Sequence, residues 1–149
     1  MDSQDIRKEA EERAFSYFSS GGFHCAESIS RTIVELHGGE PDTVVHKVAA
    51  GFRGGLGGTH EDVCGALTGG IVAIGYLYGR TEPGRDLQKA TELTVAFRKR
   101  FLDAFGSTNC EKVIENLESS GVSNCQEMTG IAAGLLSELL MENDRSDGA

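Results

Sequence analysis

The sequence contains no C-x-x-C pair. That absence removes the thioredoxin-like redox motif, the zinc ribbon and the zinc knuckle. It also removes the ferredoxin cysteine run, and with no C-x-x-C-H it excludes covalent haem attachment. Basic residues are in short supply, 14 against 23 acidic ones, for a net charge of -9. Such a surface repels nucleic acid and anionic membranes. It leaves small molecules, metals and proteins as partners. No apolar run reaches the roughly 20 residues of a spanning helix. The longest, Val63 to Tyr78, is glycine-rich and interrupted by Thr68. The opening MDSQDIRKEAEERAF has no apolar core of a secretory signal. The cytoplasm is the expected compartment, and stable structural disulfides are rare there.

Proline is scarce too, with only Pro41 and Pro83, so long stretches are free to be helical. No segment alternates polar and apolar residues in a sustained way. The expected fold is therefore all-α: one domain over residues 1–149, a bundle of six or seven helices around a glycine-rich central one. The first helix spans Ser3 to Ser19, with Ile6, Ala10, Ala14, Tyr17 and Phe18 as its apolar stripe. The second runs from His24 to Gly38-Gly39. The third starts after Pro41, carries Val44, Val45 and Val48, and dissolves into a glycine-rich loop at Gly51 to Gly58. The fourth covers Glu61 to Tyr78, with Gly65, Gly69, Gly70, Gly75 and Gly79 along it. Each glycine there costs about 1 kcal/mol relative to alanine, so something must approach that face closely. The fifth follows Pro83 and ends at Gly106, burying Leu87, Ala90, Leu93, Phe97, Phe101, Leu102 and Phe105. The sixth spans Cys110 to Leu117 and the seventh Asn124 to Met141. The tail from Glu142 to Ala149 is expected to fray.

The four cysteines fall into a pattern on this frame. Cys25, Cys64, Cys110 and Cys125 each stand at or near the start of a helix. Free backbone N–H groups and the helix dipole favour a thiolate there. A thiolate is both the nucleophile of disulfide exchange and a metal ligand. A cysteine can also be a plain small hydrophobe in a core, but four at helix starts argue for function. Their spacing means the fold must gather them from four separate elements. Four thiolates suit a [2Fe–2S] or [4Fe–4S] cluster, or tetrahedral Zn or Fe. As thiols, one pair would attack and the other resolve. Cys110 and Cys125, joined by a short helical hairpin, are the expected close pair.

Two histidines adjoin this set. His24 precedes Cys25 and His60 stands four residues before Cys64, so either is a candidate base, ligand or thiolate partner. His37 and His46 read as structural. The loop Gly54-Gly55-Leu56-Gly57-Gly58 lacks the preceding strand and the Gly-Lys-Ser/Thr of a phosphate-binding loop. It reads instead as backbone that approaches sulfur. Arg53, Glu61 and Asp62, which flank it, read as solvated or capping groups.

Gly22-Phe23-His24-Cys25-Ala26, the glycine loop, Cys64-Gly65-Ala66-Leu67-Thr68-Gly69-Gly70 and two later single cysteines resemble the C_GCAxxG_C_C family of redox-active proteins. The resemblance runs from Phe15 to Leu135. In the middle motif Val63 stands before the cysteine and Gly65 precedes Ala66, a departure from a literal G-C-A. The resemblance implies a helical fold and four functional cysteines, at Cys25, Cys64, Cys110 and Cys125. The family is in turn similar to a region of some multi-haem cytochromes that carries an iron–sulfur centre, which implies a cluster here. Its expected partners are an electron donor or acceptor protein, or a small redox molecule. A closed structural Zn(Cys)4 module without turnover is the alternative. A second copy of the chain is a further candidate partner, through the glycine-lined fourth helix.

Overall fold

The computed structural model describes residues 2–38 and 44–148. Among these residues the chain is all-α, with seven helices and no strand. They are α1 (Ser3–Ser19), α2 (Cys25–Gly38), α3 (Val45–Ala49), α4 (Gly65–Tyr78), α5 (Gln88–Phe105), α6 (Cys110–Asn116) and α7 (Cys125–Gly148). A 3-10 turn, Ala50–Phe52, extends α3. The sequence places a proline early in the third helix; Pro41 lies outside the described residues.

Local chemistry sets the helix ends. Asp2 caps α1, its side chain accepting from the Asp5 N–H at 2.9 Å. Asn109 caps α6 in the same way, accepting from the Lys112 N–H at 3.1 Å. Gly106 ends α5 in the left-handed conformation, φ 76°, which glycine adopts without a Cβ penalty.

Small residues decide how the helices pack. Ile6, Ala10 and Ala14 recur every four residues and are buried as α1 lies along α7. Gly130 and Gly134 on α7 have no Cβ to meet the Glu11 backbone and side chain on α1. The close approach required of the fourth helix is explained in the same terms. A Cβ on Gly69 would collide with the backbone of Ala26 in α2, and one on Gly70 with the Phe97 ring in α5. The glycines thus let α2 and α5 close on α4, which also touches α3 and α7. Gly75 is different: it is exposed, and a Cβ there would meet nothing within 4 Å. Leu93, Phe97, Phe101 and Phe105 form the buried stripe of α5, with successive phenylalanines edge-on at 6.3 and 4.8 Å. Ala90 and Leu102 are half-buried beside it, and Leu87, expected within it, is exposed because α5 starts only at Gln88.

Two boundaries differ from the sequence reading. Helix α4 starts at Gly65 rather than near Glu61, because the preceding segment is held extended. Val63 makes an antiparallel bridge with Asn109. The Cys64 N–H donates to the Thr108 carbonyl and the Cys110 N–H to the Asp62 carbonyl, both at 2.7 Å. Helix α7 passes Met141 and continues to Gly148, where a frayed tail was expected. Its last turns are tied down by Arg100–Glu142 at 2.6 Å, Lys89–Asn143 at 2.9 Å and Tyr78–Asp144 at 3.2 Å. No helix among the described residues is long and apolar enough to cross a membrane.

Candidate functional site

One cavity of about 130 Å³ is lined by Cys25, Cys64, Cys110 and Cys125 together. Each cysteine arrives on a different element. Cys25 is the first residue of α2, Cys64 the cap of α4, Cys110 the first residue of α6 and Cys125 the first of α7. The bridge between Val63 and Asn109 brings the Cys64 and Cys110 segments side by side. Cys25, Cys64 and Cys110 are buried, while Cys125 is half-buried. All four are free thiols.

The glycine loop makes room for this assembly. Gly54, Gly55, Leu56, Gly57 and Gly58 all have positive φ, between 52° and 78°. A Cβ on Gly55 would stand 2.7 Å from the Cys110 Cβ and 3.0 Å from the His60 Cα. The Gly54 N–H donates to the Cys25 Sγ at 3.4 Å. Gly65, at the first turn of α4, has no Cβ to collide with that same sulfur. The loop therefore brings backbone up to sulfur, as its glycine content suggests.

Electrostatics correct one expectation. Helix-start placement predicts favoured thiolates, but every one of the four thiols is pushed up. Burial is the largest cause at each. Backbone N–H groups do pull the other way, Gly54 and Ala26 on Cys25 and Ala66 and Leu67 on Cys64. They do not offset the desolvation of these buried sulfurs. Repulsion between the sulfurs adds to it, and here Cys25 is the hub. Its charge raises Cys64, Cys110 and Cys125, and acts on Cys110 more than Cys125 does. The hairpin argument named Cys110 and Cys125 as the close pair; both line the cavity, and Cys25 and Cys64 line it with them.

The histidines divide. The His60 Nδ1 stands 3.5 Å from the Cys110 Sγ. Among the described residues, His60 is also one of two non-glycine residues with positive φ, at 63°. His24 lines the cavity, but its ring sits edge-on to Phe18 at 6.2 Å, and its backbone N–H donates to Glu27. His37 bonds Ser137 at 2.8 Å and His46 packs on the Phe23 ring at 5.2 Å, both away from the cysteines. Arg53, read from sequence as a solvated flank, lines the cavity, and its positive charge favours the Cys25 thiolate. Its guanidinium lies against Gly58, 3.0 Å from where a Cβ would stand. Glu61 and Asp62 are exposed and do not line the cavity. Phe97, Phe101 and Phe105 stay in the core.

Among the described residues, no three His, Cys, Asp or Glu side chains are set to hold a metal ion. No curated protein and no solved structure matches the chain. A family model described as "Putative redox-active protein (C_GCAxxG_C_C)" does match, over residues 23–139, a span that holds all four cysteines and their cavity, and the chain belongs to that family.

Proposed function

We propose that the protein carries electrons, and that Cys25, Cys64, Cys110 and Cys125 together hold a small iron–sulfur cluster. The observation that supports this reading is the meeting of four thiols, from four elements, on one cavity of about 130 Å³. Organic ligands fill pockets of roughly 300 Å³ and more, so a resident flavin or nicotinamide does not suit the space. A soft inorganic centre suits both the volume and an all-sulfur donor set. The raised thiol pKa values are consistent with it. Four neutral thiols can share a dry cavity, whereas four thiolates need a cation beside them, and metal binding releases their protons. Once bound, such a cluster supplies a one-electron couple. The chain's own part is to exclude water, with Phe18, Val113 and Met128 in the lining, and to aim the Gly54 N–H at sulfur. The partner in this reading is an electron donor or acceptor, protein or small molecule.

A closed Zn(Cys)4 site would need three or more thiols directed at one point, an arrangement the described residues do not present. Reversible dithiol–disulfide cycling is the second reading. Two observations favour it: His60 beside the Cys110 sulfur, and the partial exposure of Cys125.

The test is anaerobic reconstitution with iron and sulfide, followed by visible absorption, metal and sulfide analysis and a thiol count. A brown protein with iron and sulfide supports the cluster. Colourless protein with stoichiometric zinc supports the closed site, and metal-free protein with two reversibly oxidised thiols supports dithiol cycling. Four inert thiols and no metal would end all three readings. Replacing each cysteine singly by serine should abolish a cluster that uses all four.

A further inference from the structure

We propose that His60 donates a hydrogen bond from Nδ1–H to the Cys110 Sγ and thereby raises the reduction potential of the centre that the four cysteines hold. The proposal rests on the cluster reading given above. Its basis is geometric. The His60 Nδ1 lies 3.5 Å from the Cys110 Sγ, within range of a hydrogen bond to sulfur. Among the described contacts to the four sulfurs, it is the one made by a side chain; the others, from Gly54 and Ala26 to Cys25 and from Ala66 and Leu67 to Cys64, come from backbone N–H groups.

The loop holds His60 there at a cost. A φ of 63° lies in the left-handed region, which is strained for a residue with a side chain, although histidine, like asparagine and aspartate, enters it more often than most. The strain is sustained by surrounding bonds. The His60 N–H donates to the Gly54 carbonyl at 2.8 Å, and the Thr59 hydroxyl to the Gly55 carbonyl at 2.6 Å. On the far side, the Cys110 N–H is anchored to the Asp62 carbonyl at 2.7 Å. Gly55, which has no Cβ to strike either residue, lets the His60 and Cys110 segments touch. Both ends of the contact are thus fixed by backbone, and strain kept at such a position points to function.

The consequence follows from charge. When a one-electron reductant in solution reduces the centre, negative charge on its sulfurs increases. A donor fixed at sulfur stabilises the reduced form more than the oxidised one, so the midpoint rises. Hydrogen bonds to sulfur are among the factors that set such potentials.

Two variants test this. His60→Gly removes the donor and relieves the positive φ. His60→Asn keeps an N–H near the Nδ1 position and tolerates the same backbone. The reconstituted proteins would be titrated with dithionite under argon, following visible absorption, and iron and sulfide would be counted for each. The expected result is a more negative midpoint for His60→Gly at unchanged iron content, with His60→Asn lying closer to wild type. Equal midpoints for wild type and His60→Gly would overturn the proposal and leave the cluster reading standing. Loss of iron in His60→Gly alone would also overturn it, because His60 would then be needed for assembly. A wild-type protein that takes up no cluster overturns the cluster reading, and this inference with it.

Discussion

The Sγ of Cys25 stands so close to Gly65 that a Cβ there would collide with it. Two residues far apart in sequence therefore share one volume, and the glycine that follows Cys64 is there for the sulfur of another helix. The Phe52 carbonyl and the Arg53 Cα, at 3.0 and 3.1 Å from the same point, leave no direction for relief. Gly65→Ala should destabilise the fold by about 1–3 kcal/mol, the usual cost of forcing a methyl into a packed site. It should also displace Cys25 and lower iron uptake on reconstitution. Urea unfolding measures the first effect and metal analysis the second. A variant as stable as wild type, with full iron, would show that the contact is not tight.

The glycines of α4 are not equivalent, and stability should separate them. A Cβ on Gly70 meets the Phe97 ring and, at 3.1 Å, a methyl of Leu136, all in the core. Gly70→Ala should lower Tm. Gly75 is exposed in the helix interior with open space around it. Gly75→Ala should raise stability by up to about 1 kcal/mol, the difference in helix propensity. Thermal unfolding of the two variants side by side is the check.

Much of this contrast was legible in the sequence and part was not. Periodicity located the buried face of α5 at Leu93, Phe97, Phe101 and Phe105, because 3.6-residue repeats report a single packed face, but it also put on that face Leu87, which is exposed, and Ala90 and Leu102, which are half-buried. The glycine spacing of α4 announced a close approach, but not that Gly69 meets Ala26 while Gly75 meets nothing. Local pattern placed each cysteine at a helix start. It could not foresee that burial would outweigh the helix N–H groups, since desolvation depends on what the rest of the fold lays over the site. The extended run before Gly65 and the tied-down end of α7 depend on partners about 40 to 70 residues away, such as Asn109, Arg100 and Tyr78. His60 was visible as a candidate, but its contact runs to Cys110, not to the nearby Cys64 that drew attention to it.

The metal-free, reduced protein should show sluggish thiols. Burial raises all four, so the thiolate fraction at pH 8 lies below that of free cysteine, whose pKa is about 8.5. Alkylation by iodoacetamide at pH 8, followed by mass spectrometry, should be slower at each position than for free cysteine. The gap should narrow as the pH passes 9. Half-buried Cys125 should react first and Cys64 last. Rapid labelling of Cys64 at neutral pH would mean the cavity opens readily.

His37 provides a separate, pH-dependent reading of the core. Its ring is half-buried between α2 and α7 and bonded to the Ser137 hydroxyl at 2.8 Å. Burial lowers its pKa, with Asp144 opposing weakly. The unfolded chain, with a histidine pKa near 6.5, thus takes up this proton before the folded one does. The stability tied to His37 is fully present above about pH 6.5 and is lost as pH falls from there through the lower folded value. His37→Gln has no proton to take up and keeps a group able to bond Ser137. Between pH 7.5 and 5, wild-type Tm should fall more steeply than that of His37→Gln. Parallel curves would mean that the ring is protonated as easily in the folded protein as in the unfolded one.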